Sequence, residues 1–156
     1  MKFAHVMVLV SDREKAKRLW CDVLGFIVIA DTMLPDGEPP ENYFTKEVFE
    51  DVWGAEGSAS HMVCIYHPEG GAVIELQHPK YPDAVNPPRD EHGYRHCGIR
   101  EIAFNVSHID SWYEKIKAAG YEMQTDYVFT TAGGTRSFLF YDDDGNLIQL
   151  CELPNN

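Results

Sequence analysis

The sequence predicts an α+β protein in which a strand, a helix and about three further strands are performed twice. Three observations carry this. Residues 3–26 ("FAHVMVLVSDREKAKRLWCDVLGF") match residues 100–121 ("REIAFNVSHIDSWYEKIKAAGY"), with His5 falling on Glu101 and Ser11 on Ser107 at a common offset of 96. Residues 71–79 ("GAVIELQHP") lie over residues 145–153 ("GNLIQLCEL") at a constant offset of 74, so Glu75 falls on Gln149 and His78 on Glu152. Finally, each of these four stretches keeps one strand parity apolar and places one polar, ligand-capable residue on the other.

The opening strand of each half gives Ala4, Val6, Val8 and Val10 one face and His5 the other; its counterpart sets Ile102, Phe104 and Val106 against Glu101. Ile99, Ile102, Ala103 and Phe104 read as a strand buried on both faces, where an unpaired Glu101 would be costly. Each strand ends at a serine followed three residues later by an acid, Ser11 with Glu14 and Ser107 with Asp110, the signature of a capping box. Helices follow, with Ala16, Leu19, Trp20, Val23 and Leu24 at helical spacing in the first and Trp112, Ile116 and Ala119 in the second. Both stop at a glycine and an aromatic, Gly25-Phe26 and Gly120-Tyr121, as a left-handed cap requires.

The remaining strands are "SHMVCIYHP" in the first half and "YEMQTDYVFTT" and "RSFLFYDD" in the second, the last turning at Asp144-Gly145. In the closing strands Ile74 and Leu76 flank Glu75, and Ile148 and Leu150 flank Gln149. Tyr141 shares the parity of Leu139, and Asn105 that of Glu101, so both are candidates to touch a substrate. His61, His67, His78, His92 and His96 fall in turns, strand edges or the connector and read as exposed; His78 and Glu152 stand where a rim residue would.

The halves differ in length. From His5 to Glu75 is 70 residues, but from Glu101 to Gln149 only 48. The surplus lies mostly in "DTMLPDGEPPENYFTKEVFEDVWGAEG", whose Pro- and Gly-rich front predicts a loop and whose back predicts a short helix with Phe44, Val48, Phe49 and Trp53 on one face. This insertion, near 31–57, is either a surface elaboration or a flap. The resulting organisation is a first module over 1–79, a proline- and charge-rich connector over 80–97, and a second module over 98–156.

A chain of 156 residues with 44% hydrophobic and 24% charged residues suits a water-soluble globular protein. The net charge of −12 argues against nucleic acid as a partner, because phosphate contacts need clustered Lys and Arg. Cys21, Cys64, Cys97 and Cys151 form no C-x-x-C pair, which removes zinc-finger and thioredoxin-like readings. No run resembles a signal peptide or approaches the ~20 apolar residues of a membrane span, so a cytoplasmic protein with reduced thiols is expected.

Taken together, the duplicated strand–helix–strands layout, "GIREIAFNVSHIDSWYEKIKAAGY" and the ending "FLFYDDDGNLIQLCE" resemble the vicinal oxygen chelate superfamily. The last stretch is similar to the family's frequent F-x-D-P-D-G-N-x-I-E-L. That superfamily includes glyoxalase I, methylmalonyl-CoA epimerase, extradiol dioxygenases, and the fosfomycin and bleomycin resistance proteins. The resemblance implies two βαβββ modules whose curved mixed sheets form a cup around one divalent metal, Zn, Ni, Co, Mn or Fe. Its ligands would be His5, Glu75, Glu101 and Gln149. One imidazole and two carboxylates suit such ions on chemical grounds as well.

Two positions depart from the family pattern. Many members carry histidine where Glu101 stands, and most carry glutamate where Gln149 stands. Without a metal, Glu101 would need an ion pair with Arg95, Arg100 or a lysine. The expected activity is that of a lyase or isomerase of glyoxalase or epimerase type, moving a proton on a small oxygenated substrate bound through vicinal oxygens, with Glu75 or Glu101 as base. The alternatives are an extradiol-type non-haem iron dioxygenase and a bleomycin-resistance-like binder without catalysis. The expected partner is a small molecule, and the chain a monomer or homodimer.

Overall fold

The computed structural model describes residues 1–35, 44–88, 91 and 93–154. The chain divides into two compact units, Met1–Asn86 and Pro87–Asn156. The first contains β1 (Val6–Leu9), α1 (Arg13–Lys17), β2 (Ile27–Leu34), α2 (Lys46–Trp53), β3 (Ala59–Tyr66) and β4 (Val73–Tyr81). The second contains β5 (Glu101–Asn105), α3 (Ile109–Ala118), β6 (Phe129–Thr130), β7 (Arg136–Tyr141) and β8 (Leu147–Glu152).

Each unit builds one four-stranded mixed sheet, ordered β1-β4-β3-β2 and β5-β8-β7-β6. In each, the first strand runs parallel to the last and the remaining pairs are antiparallel. The register repeats as well. Met7 stands opposite Glu75, and Ala103 opposite Gln149. The predicted α+β class and the duplication are therefore present in the hydrogen-bond ladders.

One face of each sheet carries the unit's helix. In the first unit Val8, Val10, Val63, Ile65, Ile74 and Leu76 are buried, together with Leu19, Trp20, Leu24 and Phe26 from the helical segment and its exit. The Trp20 and Phe26 rings meet edge to face at 5.3 Å. Beyond Lys17 the helix widens into a π-type stretch, Arg18–Val23, where Leu24 N–H reaches back to Leu19 C=O at 2.9 Å. In the second unit Ile109, Tyr113 and Ile116 pack over Phe138, Phe140, Ile148 and Leu150. Each such side chain contributes roughly 1.5–3 kcal/mol by leaving water.

The expected glycine stops are present, Gly25 and Gly120 having φ of 86° and 88°. The capping boxes are not. Asp12, one residue after Ser11, caps α1 by accepting from Glu14 N–H at 3.0 Å and Lys15 N–H at 3.1 Å. These backbone bonds, that from Lys15 first, hold its carboxyl below the ordinary aspartate value. At α3 the cap position is His108, in the left-handed region at φ 61°. Its side chain caps nothing. Instead Glu152 at the end of β8 accepts from His108 N–H at 2.6 Å and Ile109 N–H at 3.4 Å. Asp110 is drawn away by Arg136, which grips both its oxygens at 2.8 and 2.6 Å.

Four further expectations change. Among the described residues β5 pairs with β8 alone and is an edge strand of its sheet; Ala103 is exposed and Glu101 only half-buried, and Ile99, two residues before the strand, is 82% exposed. The long strand expected over residues 121–131 is broken. Glu122 C=O and Gln124 N–H pair with β7, but Thr125 then bonds Tyr127 C=O at 2.8 Å and turns the chain before the short β6. The stretch 31–34, expected to open the insertion, is the end of β2, and residues 36–43 lie outside the described residues. The insertion's predicted helix is α2, capped by Thr45 and closed by Gly54 at φ 72°. Val48, expected on its apolar face, points outward at 49% exposure.

Among the described residues, no helix is long and apolar enough to cross a membrane. Cys21, Cys64, Cys97 and Cys151 are free thiols.

Candidate metal centre

In the first sheet, Glu75, near the start of β4, lies between Met7 of β1 and Cys64 of β3. Its alternate-face neighbours Ile74 and Leu76 are buried beneath the helix, which turns the carboxylate to the opposite face. His5 immediately precedes β1, two residues before Met7 and on the same parity. Its Nε2 consequently lies diagonally from Glu75, 3.8 Å from Oε1. The Cys64 thiol beside them is pushed up by burial and by the Glu75 charge.

α2 packs on this same face. The pairings Ala30 with Cys64, Leu34 with Ser60, and Cys64 with Glu75 place Ala30 and Leu34 on the Glu75 side of the sheet. Met62, opposite Gln77, is there too. Phe49 of α2, 1% exposed, is buried against Leu34 and Met62, with Ala30, Phe44 and Trp53 around them. Phe49 stacks on Trp53 at 5.2 Å. On this face lies a fully buried polar pair that the sequence did not flag, Ser60 donating to Gln77 Oε1 at 2.7 Å. The β1 side of the face is open, Met7 being 51% and Leu9 47% exposed.

The second sheet repeats the placement. Gln149 occupies the position of Glu75, beside Ala103 and Leu139, and Glu101 stands two residues before Ala103, as His5 does before Met7. Gln149 donates its amide N–H to Ser137 Oγ at 2.9 Å, while Ser137 donates to Leu150 C=O at 2.7 Å. This orients the amide through its nitrogen. Glu101 Oε2 accepts a hydrogen bond of 2.5 Å from the Tyr94 hydroxyl. Burial, and then the neighbouring Glu101 carboxylate, push the Tyr94 phenol up to about 12. Tyr94 was missed in the sequence because it lies in the connector, outside any periodic pattern.

Asn105 closes β5, exposed and opposite Cys151. Tyr141, opposite Leu147, bonds its hydroxyl to Gln124 Oε1. Both have the parity of Glu101. Neither His78 nor Glu152 holds a rim position: His78 lies inside β4 on the parity of Ile74 and Leu76, and Glu152 is consumed in capping α3. His61, expected to be exposed, is instead half-buried in a charge cluster. Asp31 Oδ1 is 2.6 Å from His61 Nε2 and 2.9 Å from Arg13, and Asp31 Oδ2 is 3.2 Å from Lys17. His67 packs edge-on against Phe26 at 4.9 Å. His92 lies outside the described residues.

Within either unit the ligand-capable set is thus a pair, His5 with Glu75 and Glu101 with Gln149. Among the described residues, no three His, Cys, Asp or Glu side chains are gathered into a group that could hold an ion. In donor type the two pairs fit a divalent metal: imidazole, two carboxylates and an amide oxygen.

The family model described as Glyoxalase/Bleomycin resistance protein/Dioxygenase superfamily matches residues 2–150. No curated protein matches the chain by sequence. Among solved structures, a glyoxalase family protein from Bacillus cereus superposes with a TM-score of 0.81 at 18% identity, over 99% of this chain and 95% of that one. A mutant of the fosfomycin resistance protein FosX from Listeria monocytogenes, complexed with Mn(II) and 1S,2S-dihydroxypropylphosphonic acid, gives 0.65 at 20% identity over 98% and 92%. TnmS3, an antibiotic binding protein from Streptomyces sp. CB03234, gives 0.58 at 20% identity over 99% of both chains. At such identities the likeness shows the fold.

Proposed function

Because the chain belongs to the Glyoxalase/Bleomycin resistance protein/Dioxygenase superfamily, we propose that it is a divalent-metal-dependent lyase or isomerase that moves a proton on a small substrate bound through two neighbouring oxygens. The observation that carries this reading is the approach of His5 Nε2 to Glu75 Oε1, 3.8 Å, on a sheet face whose register the second unit reproduces with Glu101 and Gln149. His5, Glu75, Glu101 and Gln149 would hold the ion; the similar FosX structure is a complex with Mn(II). When bound, a divalent ion is a Lewis acid that polarises the substrate oxygens and acidifies the neighbouring C–H.

The chain's own residues do the rest. Glu75 or Glu101 accepts the carbon-bound proton and returns it, as a carboxylate arm that can swing free of the ion and so regain its basicity. Asn105 and Tyr141, on the parity of Glu101, orient the substrate's polar groups. α2, packed on the Glu75 face through Phe49, excludes water from the first sheet's side of the reaction.

Metal uptake tests this first. The wild-type chain, stripped and then offered Zn²⁺, Ni²⁺, Co²⁺, Mn²⁺ or Fe²⁺, should retain about one ion per chain, and the His5→Ala/Glu101→Ala variant should retain none. With a substrate in hand, Glu75→Gln or Glu101→Gln should abolish turnover; full activity in both would overturn the assignment of the base. Selectivity for Fe²⁺ with loss of turnover under anaerobic conditions would transfer the chain to oxygen chemistry. A wild type that binds no metal would leave the reading of a binding protein, the class to which TnmS3 belongs.

A further inference from the structure

We propose that Tyr94 is a positioning residue for Glu101: its hydroxyl occupies one carboxylate oxygen and leaves the other as the single atom Glu101 offers to a cation. This rests on the metal reading above and extends it to a residue outside the repeated modules. The contact is short, 2.5 Å from the Tyr94 hydroxyl to Glu101 Oε2.

The segment that carries Tyr94 is itself tied to the residue beside Glu101. Arg100 donates to Glu91 C=O at 3.0 Å and to Cys97 C=O at 3.4 Å, so its guanidinium bridges the two ends of the stretch in which Tyr94 lies. Gly98 lies beneath this guanidinium. It has φ 131°, and a Cβ there would sit 2.7 Å from the Arg100 guanidinium. His96 N–H closes a turn on Gly93 C=O at 3.2 Å.

The duplication sets Glu101 apart from its counterpart His5, because the ligand type at this position differs between the halves. A neutral His5 imidazole offers one lone-pair nitrogen, so its tautomer and ring orientation define the bond it can make. At the equivalent position Glu101 has two equal oxygens and can bind an ion through one or through both. A donor on Oε2 competes for that oxygen and biases Glu101 toward binding through Oε1. Outer-sphere hydrogen bonds of this kind are worth roughly 10–100-fold in metal affinity.

The test is titration of the metal-free full chain with Mn²⁺ and Co²⁺, for wild type, Tyr94→Phe, Glu101→Ala and the double variant. Tyr94 is 62% exposed, so loss of its hydroxyl leaves the buried core intact, and matching circular dichroism and Tm verify this. Tyr94→Phe should weaken Mn²⁺ binding ~10–100-fold and change the visible absorption of the Co²⁺ form, because Glu101 becomes free to bind through both oxygens. In the Glu101→Ala background the Tyr94→Phe change should have no further effect on Mn²⁺ affinity. Unaltered affinity and Co²⁺ spectrum in Tyr94→Phe, with binding measurably weakened in Glu101→Ala, would overturn the inference and leave the metal reading standing. Failure of the wild type to take up either ion would overturn both.

Discussion

His5 and Glu75 meet diagonally across the parallel β1–β4 pair, Nε2 3.8 Å from Oε1. Two donors bound to one tetrahedral ion at about 2.1 Å stand about 3.4 Å apart, so a few tenths of an ångström separate this pair from ligand spacing. The pair exists because β1 and β4 run parallel in a register that offsets His5 from Glu75 by two residues. An equivalent offset holds Glu101 and Gln149 in the second sheet.

His5→Ala should therefore weaken Mn²⁺ binding by at least tenfold while leaving Tm nearly unchanged, since His5 precedes the strand and its side chain is 46% exposed. Isothermal titration with the metal-free protein measures the first effect and thermal melting the second. Equal affinity for both proteins would remove His5 from the ligand set.

Gln149→Glu should tighten divalent-metal binding by at least tenfold. The substitution puts a charged oxygen where the amide oxygen now stands, and the Ser137 hydroxyl that accepts from the amide can turn to donate to a carboxylate. An unchanged Kd would show that residue 149 does not ligate.

Phe49→Ala should cost about 3–5 kcal/mol in urea unfolding, the range for truncating a fully buried phenylalanine. The ring is 1% exposed, between Leu34 and Met62 and against Trp53 and Phe44. Because this cluster lies on the Glu75 face, the variant should also admit solvent there, seen as faster alkylation of the half-buried Cys64 thiol.

Glu152→Ala should cost about 1–2 kcal/mol, the range for losing a helix N-cap, because two backbone N–H groups at the start of α3 lose their acceptor. Gln at this position should restore part of the loss. A neutral Glu152→Ala would mean that water satisfies these groups equally well.

Asp31 makes a pH-dependent contribution. Burial pushes its carboxyl up, but the hydrogen bonds from His61 and Lys17 and the charge of Arg13 outweigh this and leave it below the ordinary value. A carboxylate depressed in the folded state stabilises above its unfolded pKa, about 3.9, and loses that contribution as pH falls through the folded value. With the side chain 30% exposed, Asp31→Asn should cost about 1 kcal/mol at pH 7, and the difference from wild type should shrink as pH falls from about 3.9 through the folded value. Urea denaturation of both proteins across that range measures it; a difference independent of pH would assign the effect to packing.

Much of the architecture was legible because it is periodic. The offsets of 96 and 74 residues appear as equivalent registers in two sheets. Alternation placed His5, Glu75, Glu101 and Gln149 on the faces opposite their unit's helix, which depends only on the two-residue period of a strand. The glycine stops at Gly25 and Gly120 depend only on a residue's own φ. The errors arose where a residue chose a partner remote in sequence. Asp110 read as part of a capping box until Arg136, 26 residues later, took both its oxygens, and Glu152 capped α3 from 44 residues away. Val48 has the hydrophobicity of a core residue, but the direction in which α2 lies on Leu34 and Met62 turned it outward.

By itself the sequence determined the duplicated strand–helix–strands plan and which side chains share a sheet face, because chain geometry transmits those properties over one to four residues. Only the tertiary structure decided that β5 is an edge strand, that α2 covers the Glu75 face, and that Glu101 is met by Tyr94 rather than by Arg95, Arg100 or a lysine. Those outcomes depend on which segments are brought within hydrogen-bond or van der Waals distance, and such short-range interactions leave no period in the chain to read.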